Sequence, residues 1–385
     1  MSRFANRTGP IRLGMVGGGQ GAFIGAAHRV AARLDGEYTL VAGALSSTPD
    51  KARASGEALG LAAERTYDDF TEMAKREARL KDGIEAVAIV TPNHLHLPVA
   101  REFLKRGIHV ICDKPLTGTL PDAKKLAALA EKSDALFMLT HTYAGYPMVR
   151  EAQERVARGD LGTIRLVQVE YAQDWLAHAP DAGNKQAAWR TDPAQSGAGG
   201  ATGDIGTHAW HLARHITGLV PEAIAADLQA FVPGRQLDDN AHVMIRFQGG
   251  ARGTLWCSQV AAGLENGLRI RVFGDKAGLE WRQENPNELH VTEIGGPTMT
   301  LTRGLAVTSD ASRAMTRIPP GHPEGYFEAF ANLYGAAAAA IRHRRSSDGL
   351  PDGIDFPSVA DGLEGVSFVD ACVRSSKRNA AWVTL

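Results

Sequence analysis

Residues 11–22 read Ile11-Arg12-Leu13-Gly14-Met15-Val16-Gly17-Gly18-Gly19-Gln20-Gly21-Ala22, and this stretch decides how the rest of the chain is read. Ile11 to Val16 has the apolar, β-branched composition of a strand. It runs straight into a glycine cluster and then into a helical pattern through about Leu34. Gly17 and Gly19 fill the first two positions of the dinucleotide fingerprint, and Ala22 fills the third, where alanine is tolerated. The reason is steric. A side chain at Gly17 would block the tight turn, and one at Gly19 would bar a pyrophosphate, whose charge suits the N–H groups opening the helix. Gln20, Gly21, Phe23 and Ile24 complete the candidate cofactor loop, and Gly21 with Gly25 makes it longer than the minimal form.

Beyond the loop, Tyr38 to Ala44 reads as a second strand and Pro49 to Leu59 as a second helix. NAD binders usually place an acid at the end of that strand to hold the adenosine ribose. Here the end reads Leu45-Ser46-Ser47, so Ser46 and Ser47 are the candidates for ribose or phosphate contact. NAD is the expected cofactor, because no cation adjoins Ser46; Lys51 and Arg53 keep NADP open. Further strands are expected at Ala86–Val90, Ile108–Cys112 and Leu136–Thr140, with helices around Leu97–Arg106 and from Pro121. Strands alternating with helices predict a parallel sheet covered on both faces. Residues 1–142 are therefore expected to form an N-terminal Rossmann dinucleotide-binding domain.

The pattern changes afterwards. A helix over Met148–Arg158, ended by Gly159, precedes a strand over Ile164–Tyr171. Ala179–Gly203 reads as a long loop, and loops of that length are usually functional. A helix over Asp204–Ile216 follows. Strands over Ala223–Val232, Ala241–Phe247, Gly253–Val260 and Leu268–Phe273 come without intervening helices, which predicts a mostly antiparallel sheet. Residues 285–320 read as irregular, and helices over Tyr326–Ile341 and Pro357–Ser375 finish the chain. Residues 143–385 are expected to form a second α/β domain with a large open sheet, for substrate binding and oligomerisation, its last helix free to pack back on the first domain.

Composition narrows the function. A chain of 385 residues suits two domains, and 44% apolar with 22% charged residues is ordinary for a globular protein. The net charge of −1 does not favour nucleic acid or an anionic membrane surface as partners. Arg342-His343-Arg344-Arg345, the one dense basic run, reads as a solvated helix end. No apolar run approaches the ~20 residues that span a bilayer, and Met1–Pro10 does not read as a signal peptide. Cys112, Cys257 and Cys372 lie far apart, which argues against a disulfide framework or structural zinc and predicts a cytoplasmic protein.

Three segments besides the glycine loop carry a likeness: Thr91-Pro92-Asn93-His94-Leu95-His96, Cys112-Asp113-Lys114-Pro115-Leu116 and Asp204-Ile205-Gly206-Thr207-His208. Together, in order and spacing, they resemble the glucose–fructose oxidoreductase, inositol dehydrogenase and rhizopine-catabolism (Gfo/Idh/MocA) family. In that family the second segment reads Glu-Lys-Pro, so Asp113 is a departure by one methylene. The resemblance implies hydride transfer between a nicotinamide and a secondary hydroxyl of a sugar, anhydrosugar or cyclic polyol. It implies that Lys114, Asp204 and His208 surround the reacting carbon, and that Thr91, Pro92, Asn93, His96, Asp113 and Lys114 line the nicotinamide side. Trp189-Arg190 would reach toward cofactor and substrate, with Tyr143, Gln173 and Asp174 as further pocket residues. Segments 140–147 and 186–192 look most like the branch that includes levoglucosan dehydrogenase. A homodimer or homotetramer is a further implication.

The chemistry of these residues agrees. Oxidising an alcohol needs a base for the hydroxyl proton and positive charge near the developing alkoxide. Lys114 follows the carboxyl end of a strand, the edge where ligands bind in parallel sheets. Asp204 and His208 are four apart, so a helix presents them on one face, with His211 one turn on. His208 suits proton exchange near neutral pH. His208 and His211 lack a third ligand at metal-binding spacing, so no metal is expected. Two other readings stay open: a relative that keeps NAD bound while cleaving a glycosidic bond, and a non-catalytic cofactor sensor. His322-Pro323-Glu324 reads equally well as pocket or plain loop.

Overall fold

The structure is a computed structural model that describes residues 9–179, 185–344 and 354–385. It divides into two compact units. The first comprises residues 9–117, 121–145, 326–344 and 354–363 among those described. Its strands β1 (Ile11–Gly17), β2 (Tyr38–Ala44), β3 (Ala86–Val90), β4 (His109–Cys112) and β5 (Phe137–Leu139) form one sheet in the order β2-β1-β3-β4-β5. Every pairing is parallel. Central β3 is buried at all its positions, which is why it carries only Ala, Val and Ile. The chain passes from β1 to β2 on one side and returns to β3 on the other, so a switch point opens at their carboxyl ends, where Gly17 is the register partner of Val90.

The helix Phe23–Leu34 turns Ala27, Ala31 and Ala32 toward the sheet. Against it packs the helix Tyr326–Arg344, whose Phe330, Tyr334, Ala337, Ala338 and Ile341 join Ile11, Leu13 and Met15 in one core. Small side chains on both helices allow close approach, and Tyr334 is fixed at both ends: its hydroxyl meets His28 Nδ1 at 2.7 Å, and its carbonyl accepts from Tyr38 Oη at 3.0 Å. A boundary at 142/143 therefore fails to describe this unit. The late helix belongs to the first core, because its apolar stripe matches β1 and the first helix. The last helix, Val359–Ser376, is shared: residues up to Leu363 count with the first unit and those from Glu364 with the second. The basic run is also not wholly solvated: Arg342 is largely buried and ion-paired to Glu37, while Arg345 lies outside the described residues.

The second unit comprises residues 118–120, 146–179, 185–325 and 364–385. It holds β6 (Ile164–Ala172), β7 (Pro221–Gln229), β8 (Asn240–Phe247), β9 (Arg252–Ser258), β10 (Gly267–Gly274), β11 (Ala277–Arg282), β12 (Glu288–Glu293), β13 (Thr298–Thr302) and β14 (Val383–Thr384). Among the described residues these form one nine-stranded sheet, in the order β13-β12-β11-β10-β6-β9-β8-β7-β14. Only β6 and β9 pair in parallel. Along β8, Ala241, Val243, Ile245 and Phe247 point inward while His242, Met244 and Arg246 face out, the alternation of a sheet covered on one side. The helices Pro147–Ala157 and Thr207–Thr217 supply the cover.

Two expectations are corrected here. Residues 285–320 are not irregular: they contain β12, β13 and the helix Asp310–Ala314. The two strands alternate mostly polar side chains, so their periodicity is weak. The stretch 179–203 is not a bare loop, since Lys185–Arg190 and Pro193–Ser196 are helical; residues 180–184 lie outside those described.

Candidate active site

The candidate site residues of the first unit act mainly through backbone. Gly17 and Gly18 adopt φ of +80° and +71°, which L side chains rarely tolerate. A Cβ on Gly17 would lie 2.7 Å from the Val90 carbonyl oxygen, and one on Gly19 2.6 Å from that of Leu45. A Cβ on Gly25 would lie 2.4 Å from Gly18 Cα. Close helix packing, the task of the third fingerprint position, therefore falls to Gly25 rather than to Ala22 alone. Gln20 N donates to Ser55 Oγ at 3.1 Å, tying the loop to the next helix. Ala22 caps the helix Phe23–Leu34 without a side-chain hydrogen bond, and the first turn carries no acid. Such an uncapped helix start, beside a groove lined by Gly19, Gln20, Gly21, Phe23 and Arg29, has the character of a pyrophosphate cradle.

At the end of β2, Ser46 Oγ accepts from Thr48 N at 3.1 Å and Ser47 is exposed. The nearby Arg53 is ion-paired to Asp50 and lies 3.8 Å from Asp68. At the end of β3, Thr91 Oγ1 is buried with no hydrogen-bond partner, an orphaned hydroxyl at the sheet's ligand-binding edge. Asn93 is buried in the following turn. His96 lies against two carbonyls, Nδ1 to Pro115 O at 2.8 Å and Nε2 to Thr91 O at 2.9 Å. Burial drives its pKa down despite the Asp113 charge, and the neutral ring donates to one of the two. His96 thus clips the Thr91-Pro92 turn to the segment after Lys114. Asp113 Oδ1 accepts from Lys114 N at 2.9 Å and Thr140 Oγ1 at 3.0 Å, which explains why a shorter acid serves there. Tyr143 is buried in the turn Thr142–Gly145 of this first unit.

The candidate site residues of the second unit act through side chains. Asp204 lies in a π-helical turn, Thr202–Gly206, that runs into the helix Thr207–Thr217 carrying His208. The expected α-helix from Asp204 is corrected to this wider turn, a feature frequent at functional sites. Its start is pinned by the fully buried Asp238, which accepts from Gly200 N at 2.7 Å, Thr202 N at 2.8 Å and Thr202 Oγ1 at 2.6 Å. Burial still pushes the Asp238 carboxyl above its ordinary range. Asp204 Oδ2 receives Gln259 Nε2 at 2.9 Å and lies 3.3 Å from Arg190 Nε. The Arg190 guanidinium stacks over Trp189 at 4.3 Å and Trp175 at 5.8 Å.

His208 is nearly buried, its ring 6.2 Å from that of Tyr171. From Tyr171 a polar wall continues: Tyr171 Oη and Gln173 Nε2 both donate to Asn266 Oδ1, at 2.7 and 2.8 Å, and Trp175 Nε1 donates to Gln173 Oε1 at 3.0 Å. Asp174 instead turns to Gly263 N at 2.9 Å. His211 stacks on His215 at 5.5 Å, and the described residues hold no cluster of metal-binding side chains. Sequence reasoning missed Tyr171, Trp175, Asp238, Gln259 and Asn266. Trp175 adjoins Gln173-Asp174 in the chain and was within reach; Tyr171 lies in β6, and Asp238, Gln259 and Asn266 lie in the segments that flank β8, β9 and β10, so sheet topology brings them in.

A parallel nucleotide-type sheet with a glycine cradle, joined in one chain to a unit whose large, mostly antiparallel sheet is covered by the helical segment carrying Asp204 and His208, defines an NAD-binding oxidoreductase. Residues 11–141 match the oxidoreductase family with an NAD-binding Rossmann fold, and residues 149–280 match the GFO/IDH/MocA C-terminal domain. The chain belongs to this family. It is 59% identical to an oxidoreductase from Sinorhizobium meliloti, whose crystal structure superposes with a TM-score of 0.89 over 97% of this chain and 99% of that one. An inositol dehydrogenase homologue from Azotobacter vinelandii is 38% identical. Its NAD+ complex gives a TM-score of 0.96 over the whole of both chains, and its complex with NADH and myo-inositol 0.93 over 98% of each. Levoglucosan dehydrogenase from Pseudarthrobacter phenanthrenivorans is 28% identical over 97% of both chains, so the likeness of segments 140–147 and 186–192 accompanies a lower overall identity than the inositol relative has. No described helix is long and apolar enough to cross a membrane.

Proposed function

We propose that this protein is an NAD-dependent dehydrogenase that oxidises a secondary ring hydroxyl of a cyclic polyol or a sugar. The observation that carries the reading is the Asp204–His208 pair, set on a π-helical turn and the helix that continues it, beside amide and aromatic side chains. Relatives solved with NADH and myo-inositol, and with NADH and levoglucosan, support it. Bound NAD supplies the hydride acceptor. Gly17, Gly19 and the N–H groups of residues 20–24 would hold its phosphates, Ser46 and Ser47 the adenosine ribose, and Thr91 and Asn93 the nicotinamide ribose. Trp189 would flank the nicotinamide. His208 takes the hydroxyl proton, and the Lys114 ammonium stabilises the alkoxide as the carbon gives up its hydride. Asp204 and Arg190 orient neighbouring hydroxyls, Gln173 adds an amide contact, and Trp175 offers an aromatic face to ring C–H groups.

The test is reduced-nicotinamide absorbance with NAD+ or NADP+ against inositols, aldoses, glycosides and levoglucosan. Turnover of one substrate class, abolished in His208→Ala and Lys114→Ala, is expected. Tight NAD+ binding with no turnover across the panel overturns the reading, toward a sensor or an enzyme that recycles its bound cofactor.

A second copy of the chain is the expected cover for the open sheet face. That face exposes Leu166, Met244 and Phe273 and carries an ion row, Glu170, Arg269, Glu280 and Arg282, in which opposite charges alternate. Sedimentation velocity giving a dimer or tetramer supports this; a monomer overturns it. Cytoplasmic residence belongs to the same reading, supported by three free, buried thiols, Cys112, Cys257 and Cys372.

A further inference from the structure

Asp204 has two sources of freedom, the backbone of its turn and the torsions of its own side chain. Asp238 removes the first, through bonds of 2.6–2.8 Å to Gly200 and Thr202 at the start of the turn. Gln259 is placed to remove the second. It follows directly on β9, is 3% exposed, and its backbone N donates to Asp239 O at 2.8 Å, so its own position is fixed. Its Nε2 then donates to Asp204 Oδ2 at 2.9 Å, the oxygen that Arg190 Nε approaches at 3.3 Å. An amide is an apt choice at this place. It directs a hydrogen bond at the carboxylate without adding a second full charge, as a lysine would, so the charge of Asp204 remains available to a substrate hydroxyl.

We propose that Gln259 is a positioning residue, which holds the Asp204 carboxylate in the rotamer its role requires and acts on turnover only through Asp204. This rests on the dehydrogenase reading above. The geometry needs β9 to deliver Gln259 opposite the π-helical turn, and the close contact between strand and turn is of that kind: a Cβ on Gly206 would lie 3.1 Å from Cys257 Sγ.

The experiment compares Gln259→Met, which keeps the side-chain length and removes the donor, with Gln259→Glu, which sets a carboxylate against Asp204. With the substrate found in the panel, Gln259→Met is expected to lower kcat/KM by about 100-fold, the scale of a misplaced orienting group, with NADH affinity unchanged. Gln259→Glu is expected to lower it further. In an Asp204→Asn background, Gln259→Met should add little, because a residue acting through another has nothing left to act on. Equal losses in both backgrounds overturn the proposal, as does wild-type turnover in Gln259→Met. If the wild-type protein binds NAD+ but turns over nothing in the panel, the dehydrogenase reading fails instead. A crystal structure of Gln259→Met tests the same point without any substrate. Asp204 turned out of its present rotamer supports the inference, and Asp204 unmoved overturns it.

Discussion

The two halves of the chain, the parallel-sheet unit and the nine-stranded unit, carry candidate site residues built on opposite plans. In the parallel-sheet unit, eight consecutive residues, Gly17 to Ile24, form the candidate cradle, and they do so with backbone: positive φ, missing Cβ atoms and an uncapped helix start. In the nine-stranded unit, the cluster around Asp204 draws on Tyr171, Gln173, Arg190, Gln259 and Asn266, which are spread over nearly a hundred residues, and it works through side chains. Phosphate is the same in every dinucleotide, so a fixed backbone geometry suffices to bind it. A ring bearing several hydroxyls must be told from its isomers, which needs directional groups whose identity can change. Substitutions in the glycine cradle should therefore act on cofactor affinity by steric blockage, and those in the cluster around Asp204 on turnover by misplacement.

The largest expected effect tests the proposed acid–base and charge-stabilising side chains, His208 in the second half and Lys114 in the first. His208→Ala and Lys114→Ala should each lower kcat by at least about 10³-fold, the range of lost acid–base and electrostatic catalysis, measured by reduced-nicotinamide absorbance. Cofactor affinity in His208→Ala, read by quenching of protein fluorescence, should stay at the wild-type value. A parallel loss of cofactor binding would break the division of labour.

Next in size is a pH effect confined to the first half. His28 is fully buried between Phe330 and Tyr334, and burial lowers its pKa to about 4, with a partial counter-effect from the Asp113 charge. The folded chain refuses a proton that the unfolded chain accepts below about 6.5. Stability is thus full above that pH and declines as pH falls toward 4, by roughly 3 kcal/mol from this one group, and buried His96 acts in the same direction. Urea unfolding at a series of pH values should show the decline, and His28→Gln should flatten it. An equal slope in the variant would assign the acid sensitivity elsewhere.

Gly19→Ala should have a smaller effect, directed at cofactor. Its new Cβ meets the Leu45 carbonyl at 2.6 Å and Ser55 Oγ at 2.7 Å, so the loop must shift by a strain of about 1–3 kcal/mol. Isothermal titration should find NAD+ affinity lower by about 10- to 100-fold, while the melting transition moves only modestly.

What the sequence discloses follows the same division. β2 and β3 are legible to the residue, and the glycine loop as a tight turn between strand and helix, because each rests on local rules: β-branched runs, turn residues, missing side chains. Lys114, Asp204 and His208 stand out as candidates only because motifs accompany them. Gln259 and Asn266 carry no local mark; they reach the cluster because β9 and β10 both flank β6, which leads into Gln173. The helix Tyr326–Arg344 is recognisable as a helix but not as part of the first core, since an alanine-rich stripe does not say which sheet it will cover. The π-helical turn escapes sequence reasoning for a related reason: what widens it is held by Asp238, thirty-odd residues away.

The smallest effect bears on whether the first half is backbone alone. The choice between NAD and NADP turns on side chains at the end of β2, where Ser46 and Ser47 bring no charge and Arg53 is engaged by Asp50 and Asp68. All three partners are at least half exposed, so these pairs are worth only about 0–1 kcal/mol each. A 2′-phosphate would have to compete with them for the guanidinium. Asp50→Asn combined with Asp68→Asn releases Arg53, and NADP+ affinity relative to NAD+ is expected to rise by up to about five-fold, the equivalent of 1 kcal/mol. Arg53→Ala should leave NAD+ binding unchanged. If the double variant shifts nothing, Arg53 does not face the cofactor, and selection against NADP comes from the lack of any cation beside Ser46. If Arg53→Ala weakens NAD+ as well, the cradle draws on side-chain charge after all, and the contrast between the two halves is one of degree.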